Sequence, residues 1–180
     1  MNSPAAQISV FAEKQFAYVK ICGRANFTSS IDFNSLVTHL REQGYTYFVI
    51  ELSECSLMDS TFLGVMAGFG LKMIQTTGEA RSHHVELRNA NPRISELLEN
   101  VGVLHLFKTS EGEQASPEAL AACAHQPEQS SREDLTRTCL EAHQLLMAIN
   151  PENVARFKDV TKFLAEDLAR IQSAMPARKP

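Results

Sequence analysis

No stretch of this sequence is apolar for long enough to cross a bilayer. The longest run of apolar residues and glycine, Phe62 to Leu71, stops at Lys72, well short of the ~20 residues a spanning helix needs. A basic excess is also missing. The 180 residues hold 17 Lys and Arg against 21 Asp and Glu, a formal charge of −4, which sets aside nucleic acid and anionic membrane as partners. Met1-Asn2-Ser3-Pro4 offers neither a basic segment nor an apolar core, so no secretion signal is expected. Cysteine is scarce and scattered: Cys22, Cys55, Cys123 and Cys139 form no CxxC pair and have no histidine at ligand spacing. A zinc site is therefore not expected, and reduced thiols acting as small hydrophobes fit a cytoplasmic protein.

Catalytic signatures are missing as well. Gly64, Gly68 and Gly70 satisfy neither GxxxxGK[ST] nor GxGxxG, and they fall inside a helical pattern instead of before one. Gly64 and Gly68 lie one above the other on a single helix face, where absent side chains let the helix approach the sheet or a partner. His83 and His84 alternate in a strand pattern and so point to opposite faces. His39, His105, His125 and His143 make no HExxH or comparable cluster. Glu96 and Glu99 with Arg93 read as a solvated helix face. No GxSxG elbow surrounds any serine, and no histidine is placed by sequence beside Ser60. The expectation is a protein without enzymatic activity, metal or cofactor.

What the chain does have is 44% apolar residues, enough for one full core with material left over. Gln7–Ala12 and Phe16–Cys22 alternate apolar and polar positions around Glu13-Lys14-Gln15, the pattern of a hairpin with one buried face. From Ser30 the period changes to helical, through Ile31, Leu36, Val37 and Leu40, with Gly44 as the stop. Tyr45–Leu52 is a dense β-branched and aromatic run that predicts a strand covered on both faces. A polar loop, Ser53–Asp59, leads into a helix over Ser60–Thr76 with no polar face for three turns, which must be buried or lie against a partner. A strand over His83–Arg88 follows. Asn91-Pro92 then opens a helix to about Asn100, and Val103–Lys108 reads as the last strand. This order predicts an α/β fold, a mostly parallel, mixed sheet with helices and right-handed crossovers.

Beyond this, 110–131 is rich in Glu, Gln, Ser, Pro and Ala, with one short helix possible over Pro117–Cys123. The expected division is a first domain at 1–112, a linker at 113–130 and a C-terminal helical hairpin at 131–175. Ser131 and Asp134 approximate a capping box for Arg132–Ile149, and Asn150-Pro151 opens Glu152 to about Ser173. Leu135, Cys139, Leu146 and Ile149 form one stripe, and Val154, Phe157, Val160, Leu164, Leu168 and Ile171 another. Each stripe must bury against the other, the first domain, or a second copy of the chain.

The chemistry-bearing segment is Met58-Asp59-Ser60-Thr61-Phe62-Leu63-Gly64-Val65, where a strand has ended and a helix begins. A phosphate on Ser60 would gain ~0.3–1 kcal/mol from unpaired first-turn amides and the positive end of the helix. It would also add about −1.5 to −2 charge in front of an apolar surface expected from Phe62, Leu63 and Met66. Asp59 and Ser60 are equally common N-cap types, and chemistry alone favours that role.

The segment resembles the signature of the STAS family, the anti-sigma-factor antagonists and their relatives. Gly23 before a polar helix start and Asn91-Pro92-Arg93-Ile94 with Leu97, Leu98 and Gly102 resemble two further family features, so that the likeness covers about 7–109. The resemblance implies a bacterial partner-switching protein of the cytoplasm. In such a protein Ser60 is phosphorylated by a serine kinase of the anti-sigma type, with Thr61 as a secondary acceptor, and a cognate phosphatase reverses the step. The unmodified form binds its protein partner. By the same resemblance Asp59 orients the acceptor, and Asp59, Ser60, Phe62, Leu63 and Met66 form the partner surface. Phe62 replaces a common Gly and so implies a different partner from the usual anti-sigma factor. The competing expectation is a constitutive scaffold or ligand-binding module of the same fold whose C-terminal helices drive homodimerisation.

Overall fold

A computed structural model describes residues 6–77, 84–115 and 130–174. Its elements are β1 (Gln7–Glu13), β2 (Phe16–Ala25), α1 (Phe27–Glu42), β3 (Tyr47–Glu51), β4 (Cys55–Met58), α2 (Ser60–Thr77), β5 (Val85–Arg88), α3 (Pro92–Asn100), a 3-10 turn (Leu104–Leu106), β6 (Lys108–Ser110), α4 (Arg132–Ile149) and α5 (Asn153–Ala174). The strands form one mixed sheet in the order β1-β2-β3-β5-β6, with β4 attached to β2. Only β1 and β2 run antiparallel, as the short connection at Lys14-Gln15 dictates. The remaining pairs are parallel and need the helical crossovers between them.

Alternation along the strands separates two faces. Ala17, Val19 and Ile21 of β2, Phe48 and Ile50 of β3, and Val85 and Leu87 of β5 point into the main core. There they meet Phe33, Val37 and Leu40 of α1, Phe62, Met66, Phe69 and Met73 of α2, and Ile94 and Leu98 of α3. The opposite face carries Tyr18 and Val49 with Phe11, Phe16, Tyr47 and Ala115 packed on them. Strand β3 is covered on both sides, as its sequence predicts. Its one charged residue, Glu51, is fully buried and survives there because it accepts hydrogen bonds from the Tyr18 hydroxyl, the Asn89 amide and the Ser53 backbone N–H.

Three details depart from the sequence expectation. The polar stretch Ser53–Asp59 contains a strand, β4, paired in parallel with Gly23–Ala25 at the far end of β2. A register shift at Gly23/Arg24 makes that pairing possible, and Gly23 sits at φ +88°. The run Val103–Lys108 is not a strand. Its apolar residues turn through the 3-10 segment, so that Leu106 and Phe107 bury, and only Lys108–Ser110 joins the sheet. Helix α1 starts earlier than Ser30, because Asn26 and Ser29 form a full capping box. His83 and the short helix at Pro117–Cys123 lie outside the described residues.

The two C-terminal helices are present, and their stripes have different fates. Helix α4 lies along α2, with Ala142 and Leu146 buried. Helix α5 packs on α4, but Val154, Val160 and Phe163 remain 44%, 36% and 58% exposed. The face of α2 opposite the sheet is thus covered by α4, which explains how a helix with no polar face stays in water.

Candidate functional site

Two helix N-termini converge on one carboxylate. Strand β4 ends at Met58, and the Asp59 N–H donates to the Ala25 carbonyl at 2.9 Å, tying the start of α2 to the end of β2. Asp59 Oδ1 accepts from the Phe62 N–H at 2.8 Å, the N-cap bond of α2. Its Oδ2 accepts from the Phe27 N–H at 2.7 Å in the first turn of α1. The carboxylate therefore fixes the turn before Ser60 and uses both oxygens to do so.

Ser60 is the first residue of α2 and is half-buried. Its Oγ lies 2.8 Å from His143 Nε2 on α4, 83 residues away in sequence. His143 Nδ1 lies 2.6 Å from the Cys139 carbonyl. That carbonyl can only accept, so Nδ1 carries a proton, and in the neutral ring Nε2 accepts the Ser60 hydroxyl proton. The imidazole is only 5% exposed and stands edge-on to Phe157 of α5, 5.1 Å between ring centres. One residue on, the Thr61 hydroxyl donates to Cys139 Sγ at 3.5 Å. Burial pushes the Cys139 thiol pKa up, and nearby Asp59 adds to the shift.

Further along α2 the two helices touch through backbone. A Cβ placed at Gly64 would stand 2.6 Å from the Ala142 carbonyl oxygen, and one at Gly68 would stand 3.1 Å from Leu145 Cδ2. The partner that the paired glycines admit is therefore α4. Beside this contact a groove of about 340 Å³ runs between α1, α2 and α4, lined by Asn34, Val65, Lys72, Glu141 and Leu145 among others.

The expected site residues separate into two groups. Asp59 and Ser60 sit together at the helix start, as their spacing predicts. Phe62, Leu63 and Met66 form no docking surface: they are at most 2% exposed, and the Phe62 ring packs 5.1 Å from that of Phe33. For Phe62 and Met66 the reason is helical geometry, since residues 62, 66, 69 and 73 follow the period that faces the sheet, whereas 60, 64 and 68 follow the one facing α4. Thr61, expected as a second acceptor, is 5% exposed with its hydroxyl already engaged. The large apolar side chain left open next to the site is Phe27, 46% exposed, on the turn hydrogen-bonded to Asp59. His143 and Cys139 were not expected at the site. Their local sign in the sequence is slight: Cys139 belongs to the apolar stripe of α4, and His143 stands one turn on, where that stripe is interrupted.

Chemically the pair is a serine hydroxyl held by a histidine whose second nitrogen is fixed by a backbone carbonyl, not by a carboxylate. Among the described residues no group of three or more His, Cys, Asp or Glu could hold a metal ion, and no helix is long and apolar enough to cross a membrane.

Comparison with known proteins identifies the family of the domain that carries Asp59 and Ser60. Residues 12–116 match the STAS domain; the chain belongs to the STAS family. Its fold is similar to that of the anti-sigma factor antagonist SpoIIAA in its unphosphorylated form, at 13% identity and a TM-score of 0.50 over 59% of this chain and 89% of that one. It is also similar to a putative anti-sigma factor antagonist from Thermotoga maritima, at 19% identity and a TM-score of 0.50 over 64% of this chain and 93% of that one. The comparison with curated proteins gave no match. Helices α4 and α5, and with them His143, lie beyond the matched domain.

Proposed function

We propose that this chain is a non-enzymatic regulatory switch of a bacterial cytoplasm that binds a protein partner according to the phosphorylation state of Ser60. The acceptor hydroxyl serves a serine kinase of the anti-sigma type and a cognate phosphatase. The observation that carries this reading is the position of Ser60 Oγ: first turn of α2, turned away from the sheet, half-buried, behind a turn that Asp59 holds rigid from both sides. A phosphoryl group transferred from a nucleoside triphosphate forms an Oγ–P bond, breaks the P–O bond to the departing diphosphate and displaces the hydroxyl proton. The dianion then lies at a helix N-terminus, where the dipole favours it. Phe27 offers an apolar anchor for the partner beside it.

The test is a pull-down from native cells with two full-length baits, the unmodified chain and one carrying genetically encoded phosphoserine at 60, together with phosphate-affinity gels of the native protein. The two baits are expected to recover a common partner with amounts differing at least about tenfold, roughly 1.4 kcal/mol. Equal recovery, with a single unshifted band in every growth state, removes Ser60 from the mechanism.

A second reading, a scaffold that dimerises through its C-terminal helices, is favoured by one observation: Val160 and Phe163 are exposed one turn apart on α5.

A further inference from the structure

The face of α2 that carries Ser60 is occupied by a segment of the same chain. Ser60, Gly64 and Gly68 meet His143, Ala142 and Leu145 of α4, and none of these α4 residues belongs to the matched domain. The contact is tight, and at the Ser60 end it is fastened by the Ser60–His143 hydrogen bond and, more weakly, by the Thr61 hydroxyl on Cys139 Sγ. At its other end α4 is fixed independently. Asn153, fully buried, donates from Nδ2 to the Val101 and Leu146 carbonyls, and Arg156 donates to the Asn100 carbonyl. Helix α4 is thus anchored near residue 150 and latched at residue 143.

We propose that α4 is a displaceable occupant of the partner-docking face of α2, latched by the Ser60–His143 hydrogen bond, and that phosphorylation of Ser60 releases it. The proposal rests on the reading of Ser60 as the switch and supplies its regulation. In the hydroxyl state the chain occupies its own docking face. This polarity is opposite to the one the family resemblance implies.

The steric argument runs through two contacts. Oγ and Nε2 are at hydrogen-bond distance, 2.8 Å, so three further phosphate oxygens have no room between them. One turn on, Gly64 already admits Ala142 more closely than any side chain would allow, so α4 cannot move inward to make space. If the phosphoserine instead rotates toward solvent, His143 Nε2 loses its hydrogen-bond partner while remaining buried. Either course breaks the latch. The added charge also falls beside Asp59, the buried Thr61 and the half-buried Cys139, and the positive end of α2 offsets this only in small part.

Cysteine labelling of the full chain reads this directly. Cys139 lies in the α2–α4 contact and Cys55 lies in the domain core at 1% exposure, so peptide-resolved alkylation with N-ethylmaleimide reports local opening at one and global unfolding at the other. Opening also relieves the burial that suppresses the Cys139 thiolate, which raises its reactivity further. The chains compared are the unmodified protein, one carrying genetically encoded phosphoserine at 60, Ser60→Asp and His143→Ala. Loss of the latch is expected to speed Cys139 labelling at least about fivefold in all three altered chains, with Cys55 unchanged. An unchanged or slower Cys139 rate in the phosphoserine chain, the phosphate clamping His143 instead of expelling it, overturns the proposal. So does a parallel rise at Cys55 in every altered chain. Native phosphorylation of Ser60 with an unmoved Cys139 removes the latch and keeps the switch. Cys139 release by phosphoserine, in a protein whose cells never phosphorylate Ser60, keeps the latch and removes the switch.

Discussion

Replacing Gly64 with alanine separates two opposing effects whose signs are both known. In an isolated helix the change is favourable, since alanine exceeds glycine in helix propensity by about 1 kcal/mol. In this protein the new Cβ would stand 2.6 Å from the Ala142 oxygen, 2.7 Å from its Cβ and 2.8 Å from its carbonyl carbon. All three are atoms of the α4 backbone or fixed to it, so no rotamer relieves the clash, and α4 must withdraw. Overpacking of this kind costs roughly 1–3 kcal/mol, which leaves a net loss on the order of 1 kcal/mol. For a chain of this size that lowers the Tm by about 2–4 °C. The paired measurement is the same substitution in a chain ended at Ala115. That chain has no α4, and it is expected to melt cooperatively on the sheet and α1–α3 core. There Gly64→Ala should raise the Tm. A gain in the full chain would refute the argument, because helix propensity alone accounts for a gain and only the α4 contact accounts for a loss. A truncated chain with no cooperative transition would remove the division at 113–130.

Glu86 makes stability depend on acid. Burial opposes its charge, but hydrogen bonds from the Ser110 and Tyr47 hydroxyls and the Arg88 guanidinium outweigh that and hold its pKa at about 2. A carboxyl depressed in the folded state stabilises above its unfolded value near 4.5; on the order of 3 kcal/mol should vanish as the pH falls from there to about 2. Denaturant melts across that range should show the loss, and Glu86→Gln should flatten it; an equally steep loss in the variant assigns the acid sensitivity elsewhere. For the scaffold reading, Phe163→Asp should convert a dimer to a monomer in sedimentation. A wild-type chain that sediments as a monomer at high concentration disposes of that reading.

Much of the fold was legible because its long elements carry strong periods. The β1–β2 hairpin, β3, α2 and both C-terminal helices follow from alternation, a dense apolar run or a single stripe, patterns long enough to fix the type of the element. The two misread segments lack such a signal. Cys55–Met58 is four residues long and pairs only with the last three of β2, beyond a register shift no sequence pattern marks. Val103–Phe107 is apolar apart from His105, and so short an apolar segment fits a strand or a tight helical turn equally. Tertiary packing against α2 and α3 decided it, with Phe107 filling the space over Gly70.

At the site, sequence spoke for one helix at a time. Asp59 and Ser60 are local to the start of α2 and were readable there. Phe62 and Met66 are equally local, yet residues two and six positions along a helix point away from Ser60, and Leu63, three along, is closed off within the core. His143 belongs to a helix that no local rule joins to α2.

Its trace in the sequence is a gap. The stripe Leu135, Cys139, Leu146, Ile149 skips the turn between 139 and 146, where Ala142 and His143 stand. A small residue and a hydrogen-bonding one at that point complement a facing helix that offers Gly64 and a serine hydroxyl. The complementarity has a thermodynamic consequence for any outside partner of α2. Such a partner binds only the fraction of molecules in which α4 has lifted, so its apparent affinity is reduced by that fraction. If the Ser60–His143 bond contributes about 1 kcal/mol, its loss alone raises the apparent affinity roughly fivefold, whatever the partner. A buried histidine at residue 143 then sets a binding threshold from a helix that the partner itself need never touch once α4 has moved aside.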